Sequence, residues 1–149
     1  SNNLENVQQS RFASTPNQTK TVKRTTNSKP KKVTKPGKSW SIPVTGKIIK
    51  TFSKQHQGLT FNTKSGQKVR AIRDGKVVYV GDKMKSHGKM IIIRHPLGFY
   101  SSYTQNKELM VANGDSVSKG QVISTTSTTP FYFEMKKFKQ TINPLKYLK

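Results

Sequence analysis

The chain contains no cysteine and only six acidic residues among 149. The missing thiols exclude disulfides, thiolate metal sites and cysteine nucleophiles, and they leave the compartment open. No apolar stretch approaches the length needed to cross a bilayer as a helix, and no secretory leader pattern is visible. Against the few acids stand 28 Lys and Arg, for a formal charge of +22. Such a balance attracts polyanions, whether nucleic acid, anionic lipid or acidic wall polymer. Residues 1–40 hold nine basic residues and the single acid Glu5, or +8, so the remaining +14 belongs to residues 41–149.

The first 39 residues are rich in Asn, Gln, Ser, Thr, Lys and Pro, with Phe12 as their only aromatic. They offer too little apolar surface to offset ordering, and they read as a disordered basic linker or tail. Lys20–Lys38 is a basic run containing Pro30 and Pro36. It reads as linker rather than as a specific nucleic-acid arm. From Trp40 the composition changes, and residues 40–149 form the expected domain.

Short runs rich in Val, Ile, Tyr and Phe predict strands at Gly46–Phe52, Val69–Ile72, Lys76–Val80, Met90–His95, Phe99–Thr104, Gln121–Thr125 and Phe131–Phe138. Asp74-Gly75 between two of these runs predicts a tight hairpin, Asn113-Gly114 another turn, and Asn143–Leu148 a helical turn. Many short strands without a long amphipathic helix argue for an all-β antiparallel sandwich or open barrel. Two phrases echo one another, Gly66-Gln67-Lys68-Val69 and Gly114-Asp115-Ser116-Val117. Biotinyl and lipoyl carrier barrels show similar phrases, but the sequence around Lys83-Met84-Lys85 is not that of a carrier lysine, and an exposed Lys-rich loop is the ordinary reading.

Eight phrases in order carry a more specific resemblance: Trp40–Gly46, His56–Phe61, Asp74–Gly81, Met90–His95, Tyr103–Asn106, Gly114–Ile123, Phe131–Glu134 and Asn143-Pro144-Leu145. Over residues 40–149 the chain resembles the LytM/lysostaphin-like zinc peptidase domain, which implies an antiparallel β-sandwich or open barrel with a groove. Active members hold zinc through a His and an Asp in "His-x-Gly-x-Asp" and the second His of "His-x-His". Three protein ligands leave one position for the water that the metal activates. Two further histidines assist with protons and the oxyanion.

Transferred position by position, the resemblance leaves one of five. His56 keeps the first ligand, as a relict. Thr60 replaces the Asp, Tyr132 the third ligand, Gln105 the assisting His after Tyr103, and Pro130 the other assisting His. No metal, cofactor or catalytic residue is therefore expected, and the domain reads as an inactive peptidase homologue. His95 and His87 are not spaced to rebuild the site, and Glu134 and Asn143-Pro144 are expected to serve the fold. The segment Ser124–Pro130 is shorter than the family's usual loop before the last strand.

Inactive members of this family include the NlpD- and EnvC-type murein hydrolase activators. The resemblance implies a groove lined by His56, Thr60, Gln105 and Tyr132, flanked by Arg70, Arg73, Arg94 and Lys136. The groove would bind a segment of an N-acetylmuramoyl-L-alanine amidase and favour that enzyme's open state. Peptidoglycan or anionic wall polymers are further expected partners, and specific nucleic acid is not. The implied location is the periplasm or cell envelope, with an outer-membrane anchor in a segment N-terminal to this chain. The alternatives are a non-enzymatic peptidoglycan-binding scaffold and a zinc endopeptidase with atypical ligands.

Overall fold

A computed structural model describes residues 40–149. The reading of residues 1–39 as a linker lies outside the described residues. Ten strands form one antiparallel sheet, with no α-helix among the described residues. They are β1 (Lys47–Lys50), β2 (Leu59–Asn62), β3 (Lys68–Arg70), β4 (Gly75–Gly81), β5 (Lys89–Arg94), β6 (Phe99–Leu109), β7 (Ser116–Val117), β8 (Val122–Thr126), β9 (Phe131–Lys137) and β10 (Gln140–Ile142). The main path runs β1-β2-β9-β6-β5-β4-β7, with β10 paired to β9 and β8 bridging β3 and β6. This is the open all-β architecture that the strand pattern predicts.

Alternation along the strands separates two faces. Cross-strand register places Ile91, Tyr103, Phe133 and Leu59 in one row, and Val77, Ile93, Ser101 and Met135 in the next. All are buried, and with Val69, Ile123, Phe61 and Phe131 they make the core. The intervening residues point to the opposite, open face. There Tyr100, Ser102, Ile92 and Tyr132 are only half-buried, and Arg94 and Lys136 are exposed.

One chain of hydrogen bonds satisfies the polar atoms of His95, Ser101 and Tyr103 in the core. His95 Nδ1 lies 2.8 Å from the Asp74 carbonyl and Nε2 lies 2.8 Å from Ser101 Oγ. Ser101 Oγ is 2.8 Å from the Tyr103 hydroxyl, which accepts the Ile72 N–H at 3.1 Å. A neutral imidazole that donates from Nδ1 and accepts at Nε2 completes this chain without an orphan.

Asp74-Gly75 is not a hairpin turn, a correction to the sequence reading. β3 pairs with β8, and β4 pairs with β5 and β7, so the two strands flanking the dipeptide do not pair with each other. The Asp74 carboxylate accepts the Lys119 N–H at 2.8 Å, and a Cβ on Gly75 would sit 2.5 Å from the Arg94 carbonyl. The dipeptide therefore serves a crossing point, where closeness to β5 demands glycine. The two echoed Gly-x-x-Val phrases do share a structure. Gly66 and Gly114 take φ of +88° and +92°, and each leads into a short strand, β3 or β7, whose valine is buried. Asn143-Pro144 opens a 3-10 turn over Pro144–Lys146, with the Asn143 side chain capping the Leu145 N–H.

Candidate functional site

The open face begins at the β1–β2 loop. Ser53 and His56 exchange backbone hydrogen bonds of 2.8 and 3.3 Å, and the Gln57 amide caps the Ser53 and Lys54 carbonyls. This tight loop delivers His56 against Thr60 of β2, with His56 Nε2 and Thr60 Oγ1 3.1 Å apart. Register then aligns Thr60, Tyr132 and Thr104 across β2, β9 and β6. The Tyr132 ring stands edge-on to His56 at 5.3 Å between centroids, and its hydroxyl donates to Glu134 Oε2 at 2.7 Å.

Gly58 is fixed by this arrangement. A Cβ there would meet the Phe133 carbonyl at 2.2 Å, Glu134 Cγ at 2.9 Å and Tyr132 Cζ at 3.0 Å. The nearest obstacle is backbone of a central strand, which cannot step aside. Gly58→Ala is expected to lower stability by about 2–3 kcal/mol, read as a shifted urea midpoint. An unchanged midpoint would show that the β1–β2 loop does not hold this close approach.

Gln105 marks a change of partner. β6 pairs with β9 through Thr104 and with β8 from Asn106, and Gln105 between them takes φ of +65°. Its side-chain amide donates to the Ser86 carbonyl at 3.1 Å. That bond holds the Lys85–His87 turn over the site, and the His87 ring comes within 6.4 Å of the Tyr132 ring. Tyr132 is thus flanked by two imidazoles. Sequence spacing gave no sign of this, because the β5–β6 register brings His87 in. Glu134 is likewise part of the groove through Tyr132, besides any role in the fold. Pro130 is exposed at the end of the four-residue connection between β8 and β9.

The four basic positions part company. Arg94 and Lys136 share the open face with Tyr132, joined through Tyr100 in one cross-strand row. Arg70 is turned away to the Gly120 carbonyl, 2.9 Å distant. Arg73 is stacked over the Trp40 ring at 4.7 Å. Both guanidiniums are held by contacts other than those of the groove.

Electrostatics keep the central donors neutral. Burial, then the hydrogen bond and charge of Glu134, push the Tyr132 phenol well above its ordinary pKa. Burial, followed by the charge of Lys50, lowers His56 despite the opposing effect of Glu134. The positions where a zinc would sit thus offer one imidazole, one alcohol and one protonated phenol. Among the described residues no three His, Cys, Asp or Glu side chains converge on a common point. This donor set does not fit a catalytic zinc, which requires three strong ligands and an open position.

The sequence profile of Peptidase family M23 matches residues 54–144. The chain belongs to this family. Among curated relatives, this M23 domain is 35% identical to the murein hydrolase activator NlpD of Escherichia coli over 121 residues, covering 76% of this chain and 32% of that protein. It is 33% identical to the E. coli lipoprotein YgeR, covering 73% of this chain and 47% of that one. The M23 domain thus spans about a third to a half of these relatives. Among solved structures, Helicobacter pylori Csd3 superposes with a TM-score of 0.71 at 26% identity, over 76% of this chain and 34% of that one. Lysostaphin superposes with a TM-score of 0.62 at 22% identity, over 73% and 53% respectively, a likeness of fold.

Proposed function

We propose that this M23 domain is a non-catalytic module of the cell envelope that binds and activates a peptidoglycan-cleaving N-acetylmuramoyl-L-alanine amidase during wall remodelling and division. The observation that carries this reading is the row Thr60–Tyr132 beside His56. A hydroxyl and a neutral aromatic stand where an active member has an anionic and an imidazole ligand, and Tyr132 fills the space between the two imidazoles. What remains is a shaped groove whose side chains do not make up the ligand set of a water-activating ion. The relatives named as a murein hydrolase activator and as lipoproteins support both the role and the envelope location. A partner bound in such a groove shifts its own equilibrium toward whichever of its states the groove fits better. The basic surface favours an acidic partner and retention near anionic wall polymers.

The test adds the purified chain to a division amidase of the same organism and measures dye release from labelled sacculi. Stimulation is expected, and Tyr132→Ala should weaken the apparent affinity about tenfold or more, as removal of a central aromatic anchor does. Absence of stimulation across all such amidases sinks the reading. Binding to sacculi alone would point to a scaffold. Zinc-dependent cleavage of wall peptides by the chain itself would make it a peptidase after all.

A further inference from the structure

Beyond Tyr132 the open face continues toward the opposite end of the sheet. The second cross-strand row is Tyr79, Ile92, Ser102 and Glu134, and the third is Lys76, Arg94, Tyr100 and Lys136. A basin of about 600 Å³ opens over these rows, floored by Ile92 and Tyr100 and walled by Lys136, Phe138 and Lys139. Its volume lies in the range of sites that hold a ligand. Among the described residues, no acidic side chain lines it. Glu134, the one carboxylate on these three rows, is engaged by the Tyr132 hydroxyl. From Tyr132 to Lys136 is four residues along β9, or about 13 Å, so the basin is separate from the His56–Tyr132 end.

Phe138 is the first residue of the two-residue loop that joins β9 to β10, the position where so tight a hairpin requires a positive φ. It turns β9 into β10 at φ of +56°, and its side chain is 67% exposed. An aromatic residue held left-handed costs about 1–2 kcal/mol, and this one recovers little by burial. Its N–H donates to the Gly98 carbonyl at 2.6 Å, and its ring occupies the space where a Gly98 Cβ would be. The ring is thereby fixed at the edge of the basin. The turn demands a left-handed residue but not an aromatic one, and an exposed aromatic held beside cations suits a recognition surface.

We propose that this basin docks a short acidic segment of a partner protein through an aliphatic or aromatic side chain seated on Ile92 and against Phe138, its carboxylates meeting Lys136, Lys139 and Arg94. The inference rests on the partner-binding reading of the groove and deepens it. An anionic wall polymer would use the cations but has no apolar side chain for the floor, so a protein segment fits better. The charge also sets polarity, with the acidic end at Lys136 and the rest of the segment running toward Tyr132. Spanning both ends takes about four residues in an extended chain or about nine in a helix.

The experiment titrates the isotope-labelled full chain with a synthetic hexapeptide in which glutamates flank a central Leu-Phe pair, and follows amide shifts by NMR. An all-glutamate hexapeptide and a version with lysine for glutamate are the controls. Saturable shifts are expected around Ile92, Ser102, Lys136 and Phe138. Affinity should fall roughly tenfold when Arg94→Glu and Lys136→Glu are combined. Phe138→Asn, which keeps the left-handed turn, should weaken the mixed peptide toward the level of the all-glutamate one. Equal binding of the all-glutamate peptide, shifts centred on His56–Thr60, or variants that bind like the parent chain would each overturn the proposal. Full amidase stimulation by the double charge reversal would also overturn it while leaving the activator reading intact. Peptide binding as expected, with no responsive amidase, would uphold the basin and remove the activator role.

Discussion

Replacing Trp40 by alanine is expected to destabilise the domain by about 4 kcal/mol, the cost of removing a large buried aromatic. The indole is 1% exposed. It meets Phe99, His95 and Tyr147 edge-on at 5.0, 5.2 and 6.3 Å and carries the Arg73 guanidinium on its face. The same residue ties the beginning of the domain to its end. Trp40 bridges to Leu148, and its carbonyl accepts the Lys149 N–H at 3.2 Å. A loss of this size corresponds to a fall in Tm of roughly 20 °C for a domain of about a hundred residues. Because Trp40 is the only tryptophan, unfolding of the variant must be followed by circular dichroism. Trp40→Phe should keep a good part of the packing and lose less than half as much. A cost below about 1.5 kcal/mol for the alanine variant would show that the ring is not the hub of this corner.

Acid should weaken the same corner. His95 is 3% exposed, and burial, joined by the Arg73 charge, outweighs the Asp74 hydrogen bond and brings its pKa down to about 4. The unfolded chain binds this proton with the ordinary histidine pKa of about 6.5. The folded state therefore holds fewer protons between these values, and its stability falls as pH falls. The contribution is complete above about pH 6.5 and is lost progressively toward pH 4, amounting to roughly 3 kcal/mol. His56, also lowered, adds to the same trend. Urea midpoints measured from pH 7.5 down to pH 4 should show the decline, and His95→Gln should flatten it while starting from a lower stability. An equally steep profile in that variant would assign the acid sensitivity to other groups.

The two effects share a cause. Trp40 supplies the apolar wall that makes a charged His95 costly, and the chain from Asp74 through Ser101 and Tyr103 to Ile72 is complete only with a neutral imidazole. Loss of the indole would admit water, so Trp40→Ala should also raise the His95 pKa toward its ordinary value.

Strand pairing was only partly legible. The apolar runs at β5, β6 and β9 alternate strongly enough to be read directly, because one face of each lies in the core. β2, β7 and β10 were not read from the sequence. They have four, two and three residues respectively and exist because a neighbouring strand offers them hydrogen bonds. β6 continues past its predicted end at Thr104 because a left-handed Gln105 lets it exchange β9 for β8.

What the sequence by itself determined was the all-β architecture and the chemistry of His56, Thr60 and Tyr132. Their residue types and order are local properties of short phrases. Tertiary structure alone decided which other side chains join them. Register carried Arg94 and Lys136 onto the open face, while a carbonyl claimed Arg70 and an indole claimed Arg73. It also brought His87 to Tyr132 and set Phe138 at the edge of a basin. These outcomes depend on pairings between strands far apart in the chain, and a side chain's neighbours across a sheet leave no trace in its own local sequence.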